Sequence, residues 1–125
     1  MTFKFSISKE FSFSASHCLD HLPKGHPCRN VHGHNYKVKV ILSQVDAIGS
    51  DGMLLDYKKM KPFKEFLDEE LDHKHLNDIL VFHPTAELIA KYLFHTATRL
   101  FGVDQVEAVQ VSETDKTMAE FRVIK

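Results

Sequence analysis

Between His17 and Tyr36 the segment HCLDHLPKGHPCRNVHGHNY holds five of the chain's nine histidines and both of its cysteines. Imidazole and thiolate are transition-metal ligands, and both groups also transfer protons near neutral pH. Parity sorts the candidates. His17 closes a run in which Phe3, Phe5, Ile7, Phe11, Phe13 and Ala15 alternate with mostly Lys, Ser and Glu, the period-2 pattern of a half-buried strand. His32 and His34 open the matching apolar row of a second run, continued by Tyr36, Val38, Val40 and Leu42. Residues i and i+2 of a strand point the same way, so antiparallel pairing across the loop gathers three imidazoles on the apolar side, while Gly33 keeps the other side clear. Three neutral imidazoles suit zinc and leave a fourth position for water or substrate, as catalytic zinc requires. A single strand-end histidine, or His-Gly-His alone, is ordinarily just a satisfied polar residue; the shared parity of all three carries the metal reading.

Other groups could do chemistry beside such an ion. Cys28 lies in the loop four residues before His32, where a nearby cation would stabilise its thiolate as a general base or nucleophile; a fourth metal ligand is the competing reading. Cys18 has the opposite parity to His17 and reads as a packing residue, and His21 and His26 read as loop residues facing solvent or substrate. Asp72 and His73 adjoin at the end of a helical segment, where an acid–imidazole pair can shuttle protons, although both types are common at helix ends. Glu113 ends the apolar row Val109, Val111 in a carboxylate. A surface turn residue is the ordinary explanation, and an acceptor for paired N–H donors of a heterocycle is the functional one.

These side chains need a scaffold, and the rest of the chain supplies its parts. A first strand covers Phe3 to His17, with Lys9 breaking parity and pointing to a bulge, and a second starts at His32. The turn cluster DAIGSDGM leads to Asp56, a suitable helix N-cap, and to Met60, Phe63, Leu67 and Leu71 at helical spacing. Pro62 conflicts with an early helix start, which leaves a kink, a late start or a tight first turn. A second helix runs from about Thr85 to Phe101, with Leu88, Ile89, Tyr92, Leu93, Ala97 and Leu100 on one face and Gly102 as its stop. Two further strands, Gln105 to Ser112 and Thr117 to Ile124, are joined by ETDK. The order ββααββ predicts an α+β fold: a four-stranded antiparallel sheet with two amphipathic helices on one face.

The 125 residues fit one domain, 1–125. A net charge of -1 gives no electrostatic case for nucleic acid or an anionic membrane. The first residues alternate like a strand instead of forming a signal or transit peptide, and no stretch approaches the ~18 apolar residues of a membrane span. A cytoplasmic protein with two reduced cysteines is the expectation.

With these residues located, the stretches FSFSASH, Cys28 followed by HGHNYKVKV, then LDHKHLND, PTAE and VSET resemble, in order and over nearly the whole chain, the 6-pyruvoyltetrahydropterin and 6-carboxytetrahydropterin synthase family. The resemblance implies the tunnelling fold, or T-fold. It implies zinc on His17, His32 and His34, Cys28 as the proton-abstracting thiolate, Asp72 and His73 as its acid–base partners, Glu113 as the anchor of the pterin's amino-pyrimidinone edge, and Thr85 as a further pterin contact. It also implies a homo-oligomer, a hexamer built as a dimer of trimers, and open sheet edges make association physically sensible. The chain departs from the family pattern at His83, where Asn or a small residue is expected, and at Ala86, which replaces a hydroxyl residue.

The compact gap in CRNVHGH resembles the 6-carboxytetrahydropterin synthases of queuosine and other 7-deazapurine pathways. These convert 7,8-dihydroneopterin triphosphate to 6-carboxytetrahydropterin, acetaldehyde and triphosphate. The alternatives are 6-pyruvoyltetrahydropterin synthase, which only eliminates triphosphate, and a zinc-holding protein that binds a pterin or purine without catalysis.

Overall fold

In the computed structural model, which describes residues 1–102 and 104–124, the period-2 runs form two long strands, β1 (Lys4–His17) and β2 (His32–Val45). They pair antiparallel without interruption from Lys4 opposite Val45 to His17 opposite His32. The bulge expected at Lys9 is therefore absent. Its ammonium instead extends over the Phe11 ring, 5.6 Å from the centroid, so the side chain is accommodated without disturbing the ladder.

Pro62 is accommodated by a late start. The Asp56 carboxylate caps a 3-10 turn, Tyr57–Met60, by accepting from the Lys58 N–H, and helix α1 (Lys61–Glu70) begins beyond it with Pro62 in its first turn, where no helical N–H is required. Two short elements follow that no periodicity could announce: β3 (Lys74–His75), which pairs parallel to β1 at Ala15 and Ser16, and the single turn α2 (Leu76–Ile79). Helix α3 (Ala86–Phe101) is capped by Thr85 and ends at Gly102, whose φ of 101° favours glycine. Strands β4 (Val106–Ser112) and β5 (Ala119–Arg122) complete the sheet.

The strand order is β3-β1-β2-β4-β5. The four expected antiparallel strands form its body, and the two-residue parallel β3 adds a fifth at one edge. A single core joins the sheet to both long helices: Phe11, Phe13, Tyr36, Val38, Val40, Leu42, Val109 and Val111 meet Phe63 and Leu67 of α1 and Ile89, Leu93 and Ala97 of α3. Leu88, placed on the apolar face by its spacing, is 36% exposed because the buried arc of α3 centres on Ile89, Leu93 and Ala97. Among the described residues no helix is long and apolar enough to cross a membrane.

Candidate metal centre and active site

The pairing of β1 with β2 sets His17 directly opposite His32 and Ala15 opposite His34, so the three imidazoles share the core-facing side at one end of the sheet. Their ring centroids lie 4.5 Å (His17–His32), 5.0 Å (His32–His34) and 5.1 Å (His17–His34) apart. One ring nitrogen from each falls within 4.8 Å of the others.

Two tautomers are fixed by carbonyl groups. His17 Nδ1 donates to the Pro84 carbonyl at 2.7 Å, and His32 Nδ1 donates to the Asn30 carbonyl at 2.7 Å. Each neutral ring then carries its lone pair on Nε2, the outer-shell arrangement that orients a metal-binding histidine. His17 is fully buried, and burial, ahead of the opposing bond to Pro84, lowers its pKa and keeps it neutral. The Nε2 atoms of His17 and His34 are buried without a hydrogen-bond partner. Orphaned buried acceptors are costly, and a cation satisfies them; three convergent imidazoles are a fitting zinc donor set.

Glu113 reaches the same point from beyond the end of β4. Its Oε2 is 3.3 Å from His17 Nε2 and 3.5 Å from His34 Nε2. The carboxylate also borders an open cleft of about 370 Å³ lined by Ala86, Glu87, Val111 and Thr117. Tyr36 is fully buried beneath it, its hydroxyl without a partner, and burial together with the Glu113 charge raises the phenol's pKa. Thr85 does not line that cleft. Its hydroxyl caps α3 by accepting from the Leu88 N–H at 3.2 Å.

Cys28 stands outside the cluster of ligand atoms, in a 3-10 turn (Pro27–Arg29) of the loop joining β1 to β2. Its N–H donates to His26 Nδ1 at 3.1 Å and its carbonyl accepts from the Leu19 N–H at 2.8 Å. Arg29 pins the same loop through Nη1, which donates to the Asp20 and Leu22 carbonyls at 2.6 Å each. Both cysteines are free. At the start of the loop the Asn77 amide accepts from the Cys18 N–H and donates to the Cys18 carbonyl, a two-way clamp between β1 and α2.

Asp72 and His73 lie outside that cluster of ligand atoms within one chain. The His73 N–H donates to the Ser14 carbonyl, the Ser14 N–H donates to Asp72 Oδ1 at 2.8 Å, and Asp72 Oδ2 accepts from His73 Nδ1 at 2.7 Å. His73 borders a depression whose wall includes Ser14, Gly33 and Asn35, positions that alternate with the core-facing row, together with Ala15 and His34. A Cβ on Gly33 would meet the Ala15 carbonyl at 3.4 Å, an ordinary contact, so the glycine deepens the depression and is not forced by the backbone. His73 itself takes a φ of 61°, uncommon for a residue with a side chain. The Asp72 carboxyl is held below its usual pKa by the Ser14 N–H first and by His73 second.

Arg29, Asn77 and Pro84 fall within the stretches CRNVHGH, LDHKHLND and PTAE, but their structural roles run through backbone hydrogen bonds that no periodicity announces, so sequence reasoning assigns them none. His83, one of the departures from the family pattern, stacks on His21 with ring centroids 3.7 Å apart and ties the loop to the segment before α3.

The 6-pyruvoyl tetrahydropterin synthase family model matches residues 6–123. The chain belongs to this family. It is 36% identical over 120 residues to the 6-carboxy-5,6,7,8-tetrahydropterin synthase of Synechocystis sp., covering 92% of this chain and 91% of that one. It is 31% identical over 132 residues to the human 6-pyruvoyl tetrahydrobiopterin synthase, covering 93% and 90%. The structure of Caenorhabditis elegans 6-pyruvoyl tetrahydropterin synthase superposes with a TM-score of 0.83 at 26% identity, covering 97% of this chain and 96% of that one. The fold is the T-fold of that family.

Proposed function

We propose that the chain is a zinc-dependent 6-carboxy-5,6,7,8-tetrahydropterin synthase, a lyase converting 7,8-dihydroneopterin triphosphate to 6-carboxytetrahydropterin, acetaldehyde and triphosphate for queuosine or related 7-deazapurine synthesis. The observation that carries the reading is the convergence of His17, His32 and His34, two of them tautomerically fixed, beside a carboxylate that borders a cleft. The name of the Synechocystis relative and the compact CRNVHGH spacing favour the carboxy product. The human relative's name keeps 6-pyruvoyltetrahydropterin synthase as the second reading.

When bound, zinc supplies Lewis-acid polarisation of substrate oxygens. His17, His32 and His34 hold it. Glu113 accepts the paired N–H donors of the pterin edge in the cleft it borders. Cys28, carried on the loop that Arg29 pins, removes a side-chain proton. Asp72 orients His73 through Nδ1, leaving Nε2 free to take up or deliver a proton. Within one chain this pair lies outside the histidine cluster, and in the proposed homo-oligomer it serves a site completed by a second copy. The proposed setting is the cytoplasm.

The test is incubation of zinc-loaded protein with 7,8-dihydroneopterin triphosphate, followed by mass analysis of the products. Carboxytetrahydropterin with acetaldehyde is expected. A pyruvoyl product would select the second reading, and tight pterin binding without turnover would leave only a binding protein.

A further inference from the structure

Glu113 lies close to the imidazole nitrogens that should carry lone pairs. His17 Nδ1 can only donate to the Pro84 carbonyl, so the neutral ring presents a lone pair at Nε2, and the Glu113 Oε2 stands 3.3 Å from it with no hydrogen bond between them. The same oxygen stands 3.5 Å from His34 Nε2, which is likewise buried and unpartnered. A carboxylate oxygen and an imidazole lone pair repel at such a distance. A cation between them reverses the sign.

The spacing fits that cation. Ligand bonds of about 2.0–2.2 Å around tetrahedral zinc place neighbouring ligand atoms about 3.3–3.6 Å apart, a range that holds the separations of Oε2 from both nitrogens. The oxygen lies toward the His17–His34 edge of the triangle. Glu113 lies just past the last residue of β4, where the ladder does not fix it, and its side chain has the rotatable bonds to re-aim the oxygen.

Building on the zinc reading above, the geometry points to Glu113 as a fourth, anionic ligand of the substrate-free metal centre, closing the position that three imidazoles leave open. The carboxylate reduces the charge of a divalent centre by one and has to leave before a substrate oxygen can take its place. Because it also borders the cleft with Ala86 and Thr117, a heterocycle with paired N–H donors entering there competes with the ion for one side chain. Binding the ring would then uncover the metal, and an empty cleft would keep it shielded from adventitious ligands.

Metal binding tests this without relying on turnover. Metal-free wild type, Glu113→Gln and Glu113→Ala, each checked for native circular dichroism, would be titrated with zinc against a chromophoric chelator and with cobalt(II), whose visible absorption reports coordination. Loss of a direct ligand should raise the zinc dissociation constant at least as much as the roughly 10–100-fold seen for outer-shell partners. The cobalt spectrum should change in both variants, and added acetate should restore the wild-type spectrum to Glu113→Ala. One zinc per chain in the wild type, with unchanged affinity and spectrum in both variants, would overturn the Glu113 assignment and leave the three-histidine centre standing. A wild type that binds no zinc would overturn both.

Discussion

His32 differs from the other two histidines in being held by a carbonyl of its own loop, Asn30, only two residues away. Its orientation is local, so its removal should disturb the metal without dismantling the fold. His32→Ala is expected to purify with zinc well below one equivalent per chain and near-native circular dichroism, as measured by metal analysis of the dialysed protein; full zinc retention would contradict the centre. Cys28 gives the complementary case. It lies outside the ligand cluster, and its backbone bonds to His26 and Leu19 survive loss of the thiol. Cys28→Ala should therefore keep its zinc and its fold while turnover falls by about 10²-fold or more, the scale of a positioned proton-transfer group. Loss of metal in that variant would make Cys28 a ligand instead.

At the scale of elements, Thr85 and Asp72 each have a structural duty alongside the role that the family resemblance implies. The Thr85 hydroxyl caps α3, so Thr85→Ala should cost about 1 kcal/mol in denaturant unfolding and Thr85→Ser should recover it. Asp72 fastens the turn before β3 to β1 through the Ser14 N–H. Its pKa is depressed in the folded state, so its contribution is present above the unfolded carboxyl pKa of about 3.9 and is lost as pH falls through the lower folded value. Asp72→Ala should lower stability by about 1 kcal/mol at pH 6, allowing for partial exposure, and the gap from wild type should shrink toward pH 3. The elements themselves were unevenly legible. β1, β2 and α3 were readable because each repeats its period many times, and the metal site followed because it sits where two such periods meet. β3 and α2 are too short to show a period. Pro62 left three outcomes open because only tertiary packing decides where a helix begins. Glu113 was legible as a carboxylate ending an apolar row, but its approach to the histidines depends on the register of β4 against β2, which no local pattern encodes.

The whole molecule leaves apolar surface and backbone unsatisfied in the same region. The odd-numbered row of β1 is buried at Phe11 and Phe13, yet Phe3 is 48% and Phe5 44% exposed, because neither long helix covers that end of the strand. Among the described residues β1 bonds β2 along one edge, its other edge is met by the Asp72–His73 turn at Ser14 and by β3 at Ala15 and Ser16, and β5 bonds β4 alone. Long open edges invite pairing with another chain, and two unlike edges on one subunit can join head to tail, an arrangement that forms a ring where the rotation closes. Sequence parity assigned Phe3 and Phe5 to a buried face; a second copy of the chain is the partner that would complete that burial. The protein is accordingly expected to sediment as a homo-oligomer at micromolar concentration. Each Phe removed from a buried interface forfeits roughly 1.5–3 kcal/mol, so the double variant Phe3→Ser, Phe5→Ser should weaken assembly by at least tenfold. It should leave zinc content unchanged, because the histidines lie at the opposite end of β1. Its turnover should fall together with the oligomer fraction if, as proposed, Asp72 and His73 serve a metal centre completed by a second chain. A monomeric wild type with full activity would refute both the assembly and the shared site.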